Sequence, residues 1–164
     1  MAKTPQEIGK DFEDQFRLLC KSITQRNLAA VHRLYDAHSA GGFMPEQPGD
    51  FFFLFDGALH LFELKSSDTH QSLTSGLSSL MDTGQAAQLR WWARAGAVTH
   101  VLFLSQRDGV IELWSGEHVA VVRSTYRGRL KPEGIVMKFT SFKEFSFVFE
   151  QSLKANKRFS AAGY

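Results

Sequence analysis

Two carboxylates and one ammonium group are the residues here whose types and spacing best suit chemistry. Asp50 follows Pro48-Gly49 and precedes the apolar run Phe51–Phe55, while Glu63 and Lys65 close the run Leu59–Lys65. Between the two runs, Asp56-Gly57 is a strong two-residue hairpin signal. Such a turn pairs Phe55 with Ala58, and the same register carried outward sets Asp50 directly opposite Glu63. Their Cβ atoms would then lie about 4.5–5.5 Å apart on one face of the ladder. Lys65, two residues beyond Glu63, shares that face. Like charges across a ladder repel, so the pair needs compensation. A divalent cation supplies it, since Mg²⁺ (or Mn²⁺ in its place) is commonly held by one or two carboxylates plus waters and substrate phosphates. Such an ion polarises a phosphodiester oxygen and acidifies a bound water, and Lys65 would orient that water or stabilise charge on the phosphate. A four-residue loop would instead pair Phe55 with His60 and set Asp50 opposite Lys65, a plain salt bridge. A solvated Glu–Lys pair on a strand face is the bland alternative.

The elements that must position these groups are readable from periodicity. Thr4-Pro5-Gln6-Glu7 forms a capping box with proline at the first helical position. Ile8, Phe12, Phe16, Leu19 and Ile23 then make one apolar stripe, ending near Arg26-Asn27. Ala30–Tyr35 reads as a short strand, and Ala37–Gly49, with two prolines and three glycines, as a loop. Ser66–Thr83 is polar and reads as irregular, with at most a helical turn. Gly84–Ala95 reads as a helix with Gly96 as its C-terminal cap. Val98–Ser105, Val110–Trp114 and Val119–Val122 read as strands, and residues 123–134 as a basic loop. Ser141-Phe142-Lys143-Glu144 opens a last helix with Phe142, Phe145, Phe149 and Leu153 on its core side. The tail Lys154–Tyr164 is basic. This order predicts an α/β (α+β) fold in which helices flank a mixed sheet.

The chain has 164 residues, 43% hydrophobic and 22% charged, which fits one folded domain over 1–164 with a core of about 4–153. No apolar run approaches the ~18 residues that span a bilayer, and the N-terminus has no apolar secretory region. A cytoplasmic location, without membrane partners, is expected. The single cysteine, Cys20, excludes an internal disulfide and a cysteine-clustered zinc site and reads as a small buried side chain. The six histidines form no H-E-x-x-H or H-x-H set, which argues against metal ligation by histidine, and no G-x-S-x-G or G-x-x-x-x-G-K-[ST] string occurs, which argues against a hydrolase nucleophile elbow and a P-loop. A formal net charge of +2 is too small to demand a nucleic-acid partner, so the distribution of charge matters more than its sum. Arg123, Arg127, Arg129 and Lys131, with Tyr126, make one basic cluster suited to phosphate contact. Arg90 and Arg94 share a face of the Gly84–Ala95 helix and would flank a groove, and Arg33 lies near the end of the Ala30–Tyr35 strand. Trp91 and Trp92 are adjacent, so one of them must leave the core, and a subunit interface is one destination for it.

Asp50, thirteen positions, then Glu63-x-Lys65 resembles the active-site signature of the PD-(D/E)XK nuclease superfamily. That resemblance implies a restriction-endonuclease-like mixed sheet and a further acid on the first helix, which Glu13 in Gly9-Lys10-Asp11-Phe12-Glu13 matches. The likeness is closest to the RecU-like Holliday junction resolvases and their phage relatives, over roughly residues 7–115. In those, a glutamine on the helix after the Glu-x-Lys strand assists the metal site. Gln85 is the better positional match, with Gln88 one turn later as the alternative and a possible DNA contact. The resemblance also implies that the Leu64 carbonyl completes a metal set with Asp50 and Glu63, while Glu13 serves a second metal or an outer water. It implies a homodimer that cuts two strands of a four-way junction, in a phage or host cytoplasm. Other endonucleases of the superfamily, of restriction or repair type, and a non-catalytic nucleic-acid-binding module are the alternatives. Gly49 separates the proline from Asp50, and no stalk segment of the larger bacterial resolvases is evident beyond the short stretch 37–49.

Overall fold

The computed structural model describes residues 3–34, 47–125 and 128–155. The loop over 37–46, Tyr35, Tyr126, Arg127 and the tail from 156 lie outside the described residues. Among the described residues, six strands form one mixed sheet: β1 (Ala30–Arg33), β2 (Phe51–Phe55), β3 (Ala58–Ser67), β4 (Val98–Ser105), β5 (Ile111–Ser115) and β6 (Ile135–Phe139). They lie in chain order, with β3 and β4 parallel and every other neighbour antiparallel. The β3–β4 crossover is built from two helices, α2 (Leu73–Leu80) and α3 (Thr83–Arg94). A parallel pair needs such a long connection.

Side-chain alternation divides the sheet between two apolar layers. Helices α1 (Pro5–Gln25) and α5 (Phe142–Lys154) cover one face. There Phe16 lies 4.8 Å from Phe51 and 5.7 Å from Phe62, ring centre to ring centre, while Phe145 and Phe149 stack on each other. On the other face, α2, α3 and α4 (Gly116–Ser124) bury Leu73, Leu77, Leu89 and Val119 against Val101, Phe103 and Trp114. The abundant phenylalanines are thus mainly the α1/α5 core. Cys20 belongs to it as well, and burial pushes its thiol up to about 12, so it is an inert apolar side chain.

Three expectations change. Val119–Val122 is not a strand but the middle of α4, because Ser115 caps the helix by accepting from the His118 N–H and Val119 and Ala120 fall on its buried side. The stretch 66–83 is not irregular, since it contains α2, capped by Ser72. The basic cluster is accordingly not one loop: Arg123 lies in the last turn of α4, and Pro132–Gly134 is a 3₁₀ turn leading into β6. At the last helix Ser141 caps by accepting from Glu144 N–H, but the Glu144 carboxylate reaches back to Thr140 and not to Ser141. The first helix has the full capping box at Thr4 and Glu7.

Candidate active site

The hairpin takes the two-residue turn. Asp56 and Gly57 both have positive φ, at 50° and 67°, the conformation a type I′ turn requires. Phe55 pairs with Ala58 and Phe51 with Phe62, so Asp50, one step past the ladder, stands opposite Glu63. The four-residue alternative is excluded. Asp50 is fixed through its backbone: its N–H donates to the Phe62 carbonyl at 2.8 Å, and its own carbonyl accepts from Leu34 N–H at 2.8 Å. Gly49 permits this close approach, since a Cβ there would stand 3.0 Å from the Phe62 carbonyl oxygen.

Alternation then sends Glu63 and Lys65 toward α3, where Gln85 meets them. Lys65 Nζ is 2.7 Å from Glu63 Oε1 and donates to Gln85 Oε1 at 3.0 Å, and Gln85 Nε2 donates to Glu63 Oε1 at 3.1 Å. The triangle fixes the amide's orientation, because an ionised carboxylate can only accept and an ammonium can only donate. Gln85, not Gln88, makes these bonds. Gln85 is held in turn by Asp82, which caps α3 by accepting from Gln85 N–H at 2.7 Å. Asp82 escapes the sequence reading, which starts the helix at Gly84, although Asp82-Thr83-Gly84-Gln85 has the spacing of a capping box.

Asp50 Oδ2 accepts from Leu64 N–H at 2.7 Å, so that N–H faces the β2 side of β3. In an antiparallel pair the N–H and C=O of one residue leave on the same side. The Leu64 carbonyl therefore also faces the Asp50 side, just beyond the point where β2 begins. Across a cavity of about 210 Å³ lined by Glu13, Arg33, Asp50, Leu64 and Lys65, α1 presents Glu13, which pairs with the Arg33 guanidinium. Among the described residues, the other basic candidates Arg90, Arg94, Arg129 and Lys131 do not line this cavity. Arg90 is half-buried and Arg94, Arg129 and Lys131 are exposed.

Electrostatics marks Asp50. Loss of water around it, then the charge of Glu63 and more weakly of Glu13, push its carboxyl up to about 7; the Leu64 N–H and Lys65 pull the other way. The metal-free folded protein therefore holds a proton at Asp50 that the unfolded chain gives up near pH 4. Stability of the metal-free protein is expected to fall as pH rises from about 4 through 7. Asp50→Asn should remove that slope and, in chelator at pH 8, raise stability by about 2 kcal/mol, or about 5 °C in Tm. Thermal melts at pH 5 and pH 8 check this, and a variant with the wild-type slope would contradict it.

A cation is the other way to relieve the repulsion. Among the described residues, no three His, Cys, Asp or Glu side chains cluster closely enough to hold a metal. Two carboxylates and a carbonyl, those of Asp50, Glu63 and Leu64, are the groups that could hold one. This is an all-oxygen set, suited to a hard cation that keeps several waters. Glu13 lines the same cavity, in its pair with Arg33.

The sequence matches no family model, and no curated protein matches it significantly. Among solved structures the chain resembles Hjc of Archaeoglobus fulgidus, a Holliday junction resolvase from an archaeal hyperthermophile, with a TM-score of 0.50. The fold is resolvase-like. At 16% identity the match covers 83% of this chain and 98% of Hjc, so the likeness extends across the whole of that protein's architecture. The expected mixed sheet flanked by helices is therefore the observed one. No helix among the described residues is long and apolar enough to cross a membrane.

Proposed function

We propose that the protein is a Mg²⁺-dependent DNA endonuclease that resolves four-way junctions. One observation carries the reading: Asp50, Glu63, Lys65 and Gln85 converge where β2 and β3 part, on a resolvase-like fold. Asp50, Glu63 and the Leu64 carbonyl would hold the ion, and Mn²⁺ would replace it. The ion would supply a Lewis acid for the phosphodiester and acidify the attacking water.

The chain's own groups do the rest. Lys65 Nζ has three protons, two of which are directed at Glu63 and Gln85, leaving the third for the incoming water or a phosphate oxygen. Gln85 keeps that amine in place from a capped helix end, so the donor need not reorganise as charge develops. Glu13 would hold an outer-shell water or a second ion, with Arg33 turning from Glu13 toward a phosphate. Arg90, Arg94, Gln88, Arg127, Arg129 and Lys131 would contact DNA phosphates, which position the strand without reading its sequence. Cutting two strands symmetrically requires two sites, so the active species is a C₂ homodimer of this single domain. Trp91, 68% exposed, is available to such an interface, whereas Trp92 packs on Phe52.

The reading is supported if a labelled four-way junction is nicked at paired, symmetric positions with Mg²⁺ and left whole with EDTA, and a linear duplex of the same sequence is cut at least tenfold more slowly. Equal cutting of both substrates would replace the resolvase reading with a general endonuclease of the same superfamily. Binding without cutting would leave a nucleic-acid-binding module.

A further inference from the structure

A groove of about 760 Å³ lies between α2, α4 and the segment 128–130, away from the acidic site. Its floor is apolar, formed by Leu77, Val122 and Leu130. Leu130 is anchored in the core of this face, so the neighbouring Arg129 is set at the groove's rim. Thr74, Ser78 and Thr83 add hydroxyls to the walls, and among the described residues no carboxylate lines the groove. Arg123 is the organising cation. Its Nε donates to the Met81 carbonyl at 2.7 Å, which ties α4 to the α2–α3 junction and fixes the guanidinium. The two terminal nitrogens of Arg123 have no partner among the described residues. A half-buried guanidinium in this state lacks a counter-anion, whereas Lys65 and Arg33 each have one. Asp82, next to Thr83 in the chain, caps α3 by accepting from Gln85 N–H.

The groove is linked to the site through the first turn of α3. Thr83 lines it, and Gln85, two residues later in the first turn of α3, holds Glu63 and Lys65. Two residues are about 200° of helix rotation, so Thr83 and Gln85 leave α3 on opposite sides. A strand that crosses the end of α3 can thus place one phosphate at the acids and the next ones in the groove. An apolar floor for sugars or bases beneath a cationic rim is what a nucleic-acid backbone requires.

We infer that this groove, centred on Arg123, binds the phosphodiester backbone of the DNA strand flanking the phosphate to be cut. The inference rests on the endonuclease reading but is tested without cleavage. Binding of a four-way junction is measured in EDTA at 50–200 mM salt for wild type, Arg123→Gln, Ser78→Glu and Ser78→Lys. Arg123→Gln is expected to weaken binding about tenfold and to lower the slope of log K against log salt by about 1. Ser78 is exposed, so its two variants test the groove without threatening the fold. Ser78→Glu should weaken binding several-fold and Ser78→Lys should strengthen it. Wild-type affinity and slope in Arg123→Gln, or Ser78 variants that do not respond to the sign of their charge, would overturn the inference, as would a wild type that binds no DNA. A wild type that binds through Arg123 but never cuts with Mg²⁺ would uphold the groove and end the nuclease reading. One that cuts while ignoring the groove variants would do the reverse.

Discussion

Lys65→Met is expected to abolish cleavage and to destabilise the metal-free protein, and the two losses should separate in a double variant. Lys65 and Glu63 form a buried ion pair at 2.7 Å, with their side chains 15% and 6% exposed. Removing the amine leaves the Glu63 carboxylate out of water with the Gln85 amide as its remaining side-chain donor. Breaking one partner of a buried pair typically costs 3–5 kcal/mol, whereas removing both charges together is often close to neutral. Glu63→Gln/Lys65→Met should therefore regain stability to within about 1 kcal/mol of wild type. Loss of one preorganised donor typically costs about 10²–10³ in rate, so neither variant should cut detectably. Urea unfolding in EDTA reads the first quantity and a junction-cleavage time course reads the second. If Lys65→Met cuts at the wild-type rate, Lys65 is merely the counterion of Glu63.

The second large effect is on stability, at a residue outside the site. Glu112 on β5 is fully buried and faces the start of α2. Its Oε2 accepts from Ser72 Oγ at 3.0 Å, Leu73 N–H at 3.1 Å and Trp114 Nε1 at 3.0 Å. Lys138, its ladder partner on β6, brings an ammonium within 3.7 Å of Oε1. Glu112→Ala strands three donors in an apolar interior at about 1–3 kcal/mol each, so a net loss of about 4 kcal/mol is expected once some of them find water. Glu112→Gln keeps an accepting oxygen and should cost about half as much. Because α2 runs directly into Asp82 and α3, the alanine variant should also loosen the Gln85 triangle and depress cleavage in whatever fraction stays folded. Denaturant midpoints of the two variants measure the effect. A loss below about 1 kcal/mol in Glu112→Ala would show that the α2 terminus does not depend on this acid.

What the sequence discloses follows from how local each signal is. The hairpin is legible because Asp56-Gly57 and two flanking apolar runs dictate register by themselves, and register alone sets Asp50 against Glu63. The amphipathic stripes of α1 and α5 are legible for the same reason, since one face of each is filled by phenylalanine. Helix α2 is opaque because its N-terminus rests on Glu112, some 40 residues away in sequence. Helix α4 is misread because Val119, Val121 and Val122 are β-formers in isolation, and burial of one helical face overrides that preference. Strand β6 goes unread, as a short edge strand next to a basic segment without clear alternation. At the site, the Lys65–Gln85–Glu63 triangle depends on where α3 starts, which Asp82 decides. The pairing of Glu13 with Arg33 depends on α1 and β1 meeting across the sheet end. Both are tertiary facts that no local pattern carries.

The most direct test of the central claim compares junction cleavage by wild type, Asp50→Asn and Glu63→Gln under Mg²⁺, with junction binding measured in parallel in EDTA. The predicted result is paired nicks for wild type, a loss of at least about 10²-fold in both variants, and binding within a few-fold of wild type in all three. Undiminished cutting by either variant, or a wild type that binds the junction and leaves it intact, would contradict a shared cation between these two acids.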